Sequence, residues 1–281
     1  MKASNIITII ALILVLTLIG GVGYGYYQKA TLEVKNPIVT MEVKDFGTIK
    51  LELYPEMAPE AVSNFVALAN NGFYDGLKFH RIVNEFMIQG GDSNGDGSGS
   101  PKLSDLGIVP KTVKNEETGK EENNPEDREY CIKGEFLANK YYDNTLKHEE
   151  GVISMARADY TSYSSSLTTA SYNSAGSQFF IMTKENKGLD GMYTPFGKVI
   201  EGLDIVHNIE KTETKIAEKE GMTEEEKAQA EKSVPVNDVI ISKVTVDTFG
   251  SDYGLPETLE VWNYYDWIYK TYGINLQQTI Y

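Results

Sequence analysis

Between Pro37 and Phe249 the chain alternates short apolar runs with polar breaks, and most of the runs are too brief for helices. "PIVTMEVKDFGTIKLELYP" holds two alternating runs around Asp45 and Gly47, the pattern of a β-hairpin. Further strand-length runs stand at "KFHRI", "FMIQG", "GVISMA", "QFFIMT", "FGKVI" and "VNDVIISKVTV". Two segments change the period. "APEAVSNFVALANNG" sets Val62, Phe65, Val66 and Ala69 at helical spacing, with Pro59 in the first turn and Gly72 just past the end. A second helix is expected around Ile205, Val206 and Ile209. Many short strands with two helices predict a mainly β fold, a closed antiparallel barrel with helical caps, because a parallel sheet needs a helix between most strands.

The ends of the chain follow other rules. Lys2 precedes an uncharged apolar run from Ile6 to Val22, marginally long enough to span a bilayer. Residues 1–23 therefore read as an N-terminal membrane anchor whose lysine end stays in the cytoplasm, leaving the rest extracytoplasmic at the cell membrane. A cleaved signal peptide, giving a secreted protein, is the alternative. Residues 24–36 read as a tether and 37–249 as the folded domain. That domain is interrupted at 93–130, rich in Gly, Ser, Asn and Glu, at 159–172, a Ser/Thr/Tyr segment without period, and at 211–232, a charged run; the first two read as long surface loops. In the last of these, Thr223 and Glu226 make a capping-box pattern before a solvated helix. Residues 250–281 form an aromatic-rich extension, expected to be helical from about 257 to 270, which either packs on the barrel or docks a partner or the membrane.

Composition narrows the partners. Acidic residues outnumber basic ones 41 to 26, a formal net charge of -15, so nucleic acid and anionic lipid head groups are repelled. The single cysteine, Cys131, excludes an intrachain disulfide, a CxxC redox site and a cysteine-rich zinc site. "DSNGDG", from Asp92 to Gly97, matches the first half of a calcium-binding loop, but its twelfth position is Leu103 where a bidentate glutamate is needed. A tight turn explains those glycines better. His148 and His207 stand alone and are read as non-functional.

One stretch resists the regular plan: "FHRIVNEFMIQGGD" places Arg81 and Gln89 in an otherwise apolar alternating run. Taken alone, Arg81 reads as a surface cation, and Phe86, Met87 and Phe180 as core. Together with "IKGEF", "LKHEEGVISMARA", "NSAGSQFFIMT" and "LDGMYTPFGKVIEGLDIV", however, this stretch follows the order and wording of the cyclophilin family of peptidyl-prolyl cis-trans isomerases. The chain resembles that family from about Pro37 to Phe249. The resemblance implies an eight-stranded antiparallel barrel capped by two helices, with an outer groove for an Xaa-Pro peptide and neither metal nor organic cofactor. It implies Arg81, Phe86 and Gln89 as catalytic residues, with Gln89 orienting the guanidinium or touching the substrate backbone. Met87, Phe180 and Leu189 join Phe86 in an apolar proline pocket. The main chain of Ala156, Arg157 and Ala158 would hold the peptide as an added strand. Gln178, Tyr193 and His80 are placed along the groove, although His80 on its own flanking residues reads as structural.

The chemistry gives Arg81 a reason to be there. Rotation about a peptide bond must break amide resonance, a barrier of roughly 18–20 kcal/mol. In the twisted transition state the prolyl nitrogen regains a lone pair, and a donor aimed at it binds that state better than the planar one. A guanidinium keeps its charge and its direction at any physiological pH. The expected function is isomerisation of Xaa-Pro bonds in exported proteins by a tethered monomer. The alternative is a catalytically weak peptide-binding module or chaperone on the same barrel. Three positions depart from the family: Gly188 stands where a bulky ring is usual, Tyr193 replaces a histidine and Arg157 an asparagine. Loss of the ring is expected to weaken binding of cyclosporin-type inhibitors.

Overall fold

Side chains alternate across a strand, so each strand of a barrel offers one face to the core and one to the outside. Nine strands do this in the computed structural model, which describes residues 10, 12–23, 35–218 and 221–274. They are β1 (Ile38–Val43), β2 (Gly47–Leu53), β3 (Lys78–Phe79), β4 (Arg81–Val83), β5 (Met87–Gly90), β6 (Val152–Met155), β7 (Phe179–Met182), β8 (Thr194–Glu201) and β9 (Val239–Asp247). The sheet runs β3-β9-β1-β2-β8-β6-β7-β5-β4, antiparallel throughout. Its edge strands, β3 and β4, are separated in sequence by His80 alone, so the sheet returns on itself as a nearly closed barrel. The expected eight strands become nine because this segment changes partner at His80, from β9 on one side to β5 on the other.

The inward faces form one core. Val39, Met41, Leu51, Phe79, Ile88, Ile153, Phe179, Ile181, Phe196 and Ile241 expose no surface. Both helices expected from the periodicity pack onto it: α1 (Pro59–Asn70) through Val62, Phe65, Val66 and Ala69, and α3 (Leu203–Glu210) through Val206 and Ile209. Ala58 has no side chain able to cap α1. Instead the carboxylate of Glu135 accepts the peptide N–H groups of Glu60 and Ala61, each at 2.9 Å, and satisfies two orphan donors of the first turn.

The interruptions carry small elements of their own. Residues 93–130 hold a 3-10 turn at Leu103–Leu106 and a hairpin of Thr112–Lys114 with Glu121–Asn123. Residues 159–172 hold a 3-10 turn and α2 (Thr168–Tyr172). In 211–232, Thr214–Ile216 pairs antiparallel with Lys232–Pro235. Between them α4 (Glu224–Gln229) opens on the expected capping box: Thr223 Oγ1 accepts the Glu226 N–H at 3.2 Å, and Glu226 accepts that of Thr223 at 2.8 Å. The tail departs from its expected helix over 257–270. Leu259–Glu260 is extended and pairs with Tyr130–Cys131, so α5 (Tyr264–Tyr272) starts later, where the Asn263 side chain accepts the N–H groups of Tyr265 and Asp266.

The chain divides into two compact units between Lys35 and Asn36. In the first, residues 12–23 are helical with Leu14, Leu16 and Leu18 exposed. Among the described residues no helix is long and apolar enough to cross a membrane. The anchor read at residues 1–23 lies partly outside the described residues, as does most of the 24–36 tether.

Candidate active site

The same alternation that fills the core builds the site on the opposite face. Because Ile82, Ile88, Ile153 and Ile181 point inward, their strand neighbours point out. Register then aligns Arg81 with Gln89, Gln89 with Phe180 and Phe180 with Ser154, a row crossing β4, β5, β7 and β6. A second row aligns Val83, Met87 and Met182. Met87, Val152, Phe180 and Met182 form an apolar cluster separate from the barrel core, with Phe86, Leu189 and Tyr193 packed against it.

A pocket of about 280 Å³ opens on this face, lined by Arg81, Phe86, Met87, Gln89, Ala156, Arg157, Phe180, Leu189 and Tyr193. That lies just below the range of about 300–1,000 Å³ usual for small-molecule sites, so a small ring fits better than a larger ligand. Nine of the twelve residues assigned from the sequence thus share one cavity. A Cβ at Gly188, beside Leu189, would meet only Asn186 Oδ1 at 3.1 Å.

With Arg157, Arg81 is one of two charged groups in the wall. Its side chain is about one-third exposed; one Nη lies 3.8 Å from Met87 Sδ, and the guanidinium stands 6.0 Å from the Phe86 ring centroid. The other Nη donates to Glu231 Oε2 at 2.8 Å. Gln89, expected to orient this guanidinium or touch substrate, donates elsewhere: its Nε2 bonds Gln178 Oε1 at 3.1 Å. Gln178 in turn donates to the carbonyls of Gly97 and Gly99, both at 3.0 Å. The glutamine pair therefore ties the loop after β5 to the pocket wall.

Gln178 and Ala158 line an adjoining pocket of about 360 Å³, which shares Gln89, Ala156 and Arg157 with the first. Tyr160, from the 159–172 segment, and Val261, from the tail, complete it. Cys131 also lines it, but burial pushes its thiol up to about 11, so it is no nucleophile at neutral pH. Arg157 forms the ridge between the two pockets. Its guanidinium lies 4.6 Å from the Tyr193 ring centroid, 5.2 Å from Tyr172 and 5.8 Å from Phe136, and its Nε donates to the Met192 carbonyl at 3.1 Å. The peptide N–H of Ala156 bonds the Gln178 carbonyl, and that of Ala158 bonds Ser174 Oγ, both at 2.9 Å.

His80 lies elsewhere. It lines neither pocket, is 6% exposed, and neither ring nitrogen has a hydrogen-bond partner. It belongs to neither β3 nor β4 and sits beside the loop after β5, where a Cβ at Gly97 would stand 3.9 Å from its Nε2, and burial lowers its pKa. The "DSNGDG" turn is explained by Asp92, whose carboxylate accepts the N–H groups of Asp96, Gly97 and Gly99, each at 2.7 Å.

The structure adds residues that the sequence left aside. His148 stacks behind Phe180, with ring centroids 6.0 Å apart, and meets Tyr193 edge-on at 6.4 Å. Its Nδ1 lies 3.2 Å from Asp190 Oδ1 and its Nε2 3.1 Å from Ser154 Oγ. The order Asp190, His148, Ser154 is that of a nucleophilic relay. Ser154 is fully buried, however, so no substrate carbonyl can reach its hydroxyl. The three groups support the pocket floor. Asp190 sits in the quoted "LDG" stretch, but nothing in the sequence links it to His148.

A guanidinium thus stands beside a small apolar pocket on the outer face of a nearly closed antiparallel barrel. The family model described as cyclophilin type peptidyl-prolyl cis-trans isomerase/CLD matches residues 38–246, and the chain belongs to that family. It is 36% identical over 167 residues to peptidyl-prolyl cis-trans isomerase B of Bacillus subtilis, covering 59% of this chain and 86% of that one. It is 33% identical over 192 residues to a peptidyl-prolyl cis-trans isomerase of Helicobacter pylori, covering 63% and 91%. The match to peptidyl-prolyl cis-trans isomerase 9 of Schizosaccharomyces pombe, 36% over 172 residues, spans only 21% of that longer relative. Among solved structures, a Cryptosporidium parvum cyclophilin type isomerase in the presence of the dipeptide Ala-Pro superposes with a TM-score of 0.52 at 25% identity, over 75% of this chain and 98% of that one.

Proposed function

We propose that this chain catalyses rotation of Xaa-Pro peptide bonds, with Arg81 as the donor to the prolyl nitrogen and Phe86, Met87, Phe180 and Leu189 as the seat of the proline ring. The observation that carries the reading is the juxtaposition of a guanidinium and an apolar pocket of about 280 Å³ in one wall. The ring is held by apolar contact while the chain before it turns. As the nitrogen becomes pyramidal, the guanidinium donates to its lone pair, an interaction the planar ground state lacks. Peptide groups of Arg157 extend the contact as an added strand, since those of Ala156 and Ala158 donate within the protein. No proton is transferred and no covalent bond forms.

We further propose that the chain is a membrane-tethered form acting on proteins after export. The support is the apolar run from Ile6 to Val22 behind Lys2, together with the exposed apolar side chains at residues 12–23. The first test is NMR exchange between cis and trans forms of an Ala-Pro peptide, with the wild type and with Arg81→Ala. Removing one charge-stabilising donor of this kind costs about 10²–10³ in rate, so a drop of that size is expected in the variant. Peptide binding without faster exchange in the wild type would favour the binding-module alternative.

A further inference from the structure

The acceptor on Arg81 does not come from the barrel wall. Glu231 belongs to the segment interrupting the domain at 211–232, between α4 and the strand Lys232–Pro235, and it does not line the proline pocket. Its carboxylate nevertheless takes one Nη of Arg81 at 2.8 Å. The neighbouring Lys232 is fixed by antiparallel pairing with Ile216, so the carboxylate is delivered on an ordered hairpin rather than a free loop.

Two physical consequences follow for a guanidinium that has to serve a prolyl nitrogen. A carboxylate is a stronger acceptor than a neutral amine lone pair or a carbonyl, because the hydrogen bond is charge-assisted on both sides. It also offsets the positive charge that makes the guanidinium a useful donor. The pair is accessible, with side chains 35% and 50% exposed, so it is of the weak, screenable kind that an incoming peptide can displace.

We infer that Glu231 is a built-in competitor for Arg81: the 211–235 hairpin holds the catalytic guanidinium in an attenuated state until substrate or salt releases it. This rests on the isomerase reading above. It assigns Glu231 a rate-setting role exerted through Arg81, without contact to the substrate.

The test compares the full-length wild type with Glu231→Gln, which keeps the shape and removes the charge. kcat/KM for an Ala-Pro peptide and the peptide's Kd are measured at about 0.01 M and about 1 M salt, where the screening length falls from about 30 Å to about 3 Å. At low salt the variant should be faster by roughly two- to five-fold, the span that exposed ion pairs carry. Wild-type activity should rise by a similar factor between the two salts while the variant stays flat. A variant as slow as or slower than the wild type at low salt overturns the proposal and makes Glu231 at most an orienting group. Should neither protein accelerate exchange, the isomerase reading fails separately. The competitor is then read from the Kd, and equal affinities in the two proteins overturn it.

Discussion

Glu135 shows how one side chain is shaped by what the fold demands of it. It closes the first turn of α1 with two hydrogen bonds, yet it is 2% exposed. Burial pushes its carboxyl up to about 7, although the N–H groups of Glu60 and Ala61 pull the other way. In the unfolded chain it titrates near 4.5. Between these values the unfolded chain has released a proton that the folded chain keeps, so this group's share of stability is full below about 4.5, falls as pH rises to about 7 and is flat beyond. The full loss is roughly 3 kcal/mol. Urea titrations of the wild type and Glu135→Gln across that interval should show the extra decline only in the wild type; parallel curves would discount the assignment. Residues such as Arg81, Phe86 and Phe180 were legible in the sequence as a family motif. The partnerships of Glu135 with α1, His148 with Asp190 and Glu231 with Arg81 were not, because each joins residues far apart in sequence that only the folded chain brings together.

At the scale of elements, legibility followed hydrogen-bonding range. The β1–β2 hairpin, α1 and the Thr223 capping box are local, and each stands where its pattern predicts. The extended start of the tail was missed because Leu259–Glu260 finds its partner at Tyr130–Cys131. One strand tolerates no side chain at a central position. A Cβ at Gly197 of β8 would sit 2.5 Å from the Glu52 carbonyl oxygen and 2.9 Å from Leu53 Cδ2, so β8 could not keep its register with β2. Gly197→Ala is expected to cost about 1–3 kcal/mol, as overpacking of a filled site does. A urea midpoint within error of the wild type would show that the strands separate more readily than this contact implies.

The whole molecule joins a barrel whose edges meet at His80 to an N-terminal unit ending at Lys35. If residues 1–23 anchor the chain, the full-length protein should stay with membranes after carbonate extraction, and a fragment beginning at Asn36 should be released while keeping its isomerase rate. A full-length chain that washes off would remove the tether from the proposal and leave the barrel's chemistry untouched. What the sequence determined by itself was the alternation that makes the strands, the spacing of the two packed helices and the motifs that carry the family. These are short-range or recurrent, so they can be read along the chain. What only the tertiary structure decided was which outward residues share a row, what supports Phe180 from behind, and which carboxylate reaches Arg81. Those depend on strand register and on contacts closed across the whole domain, and no local pattern encodes them.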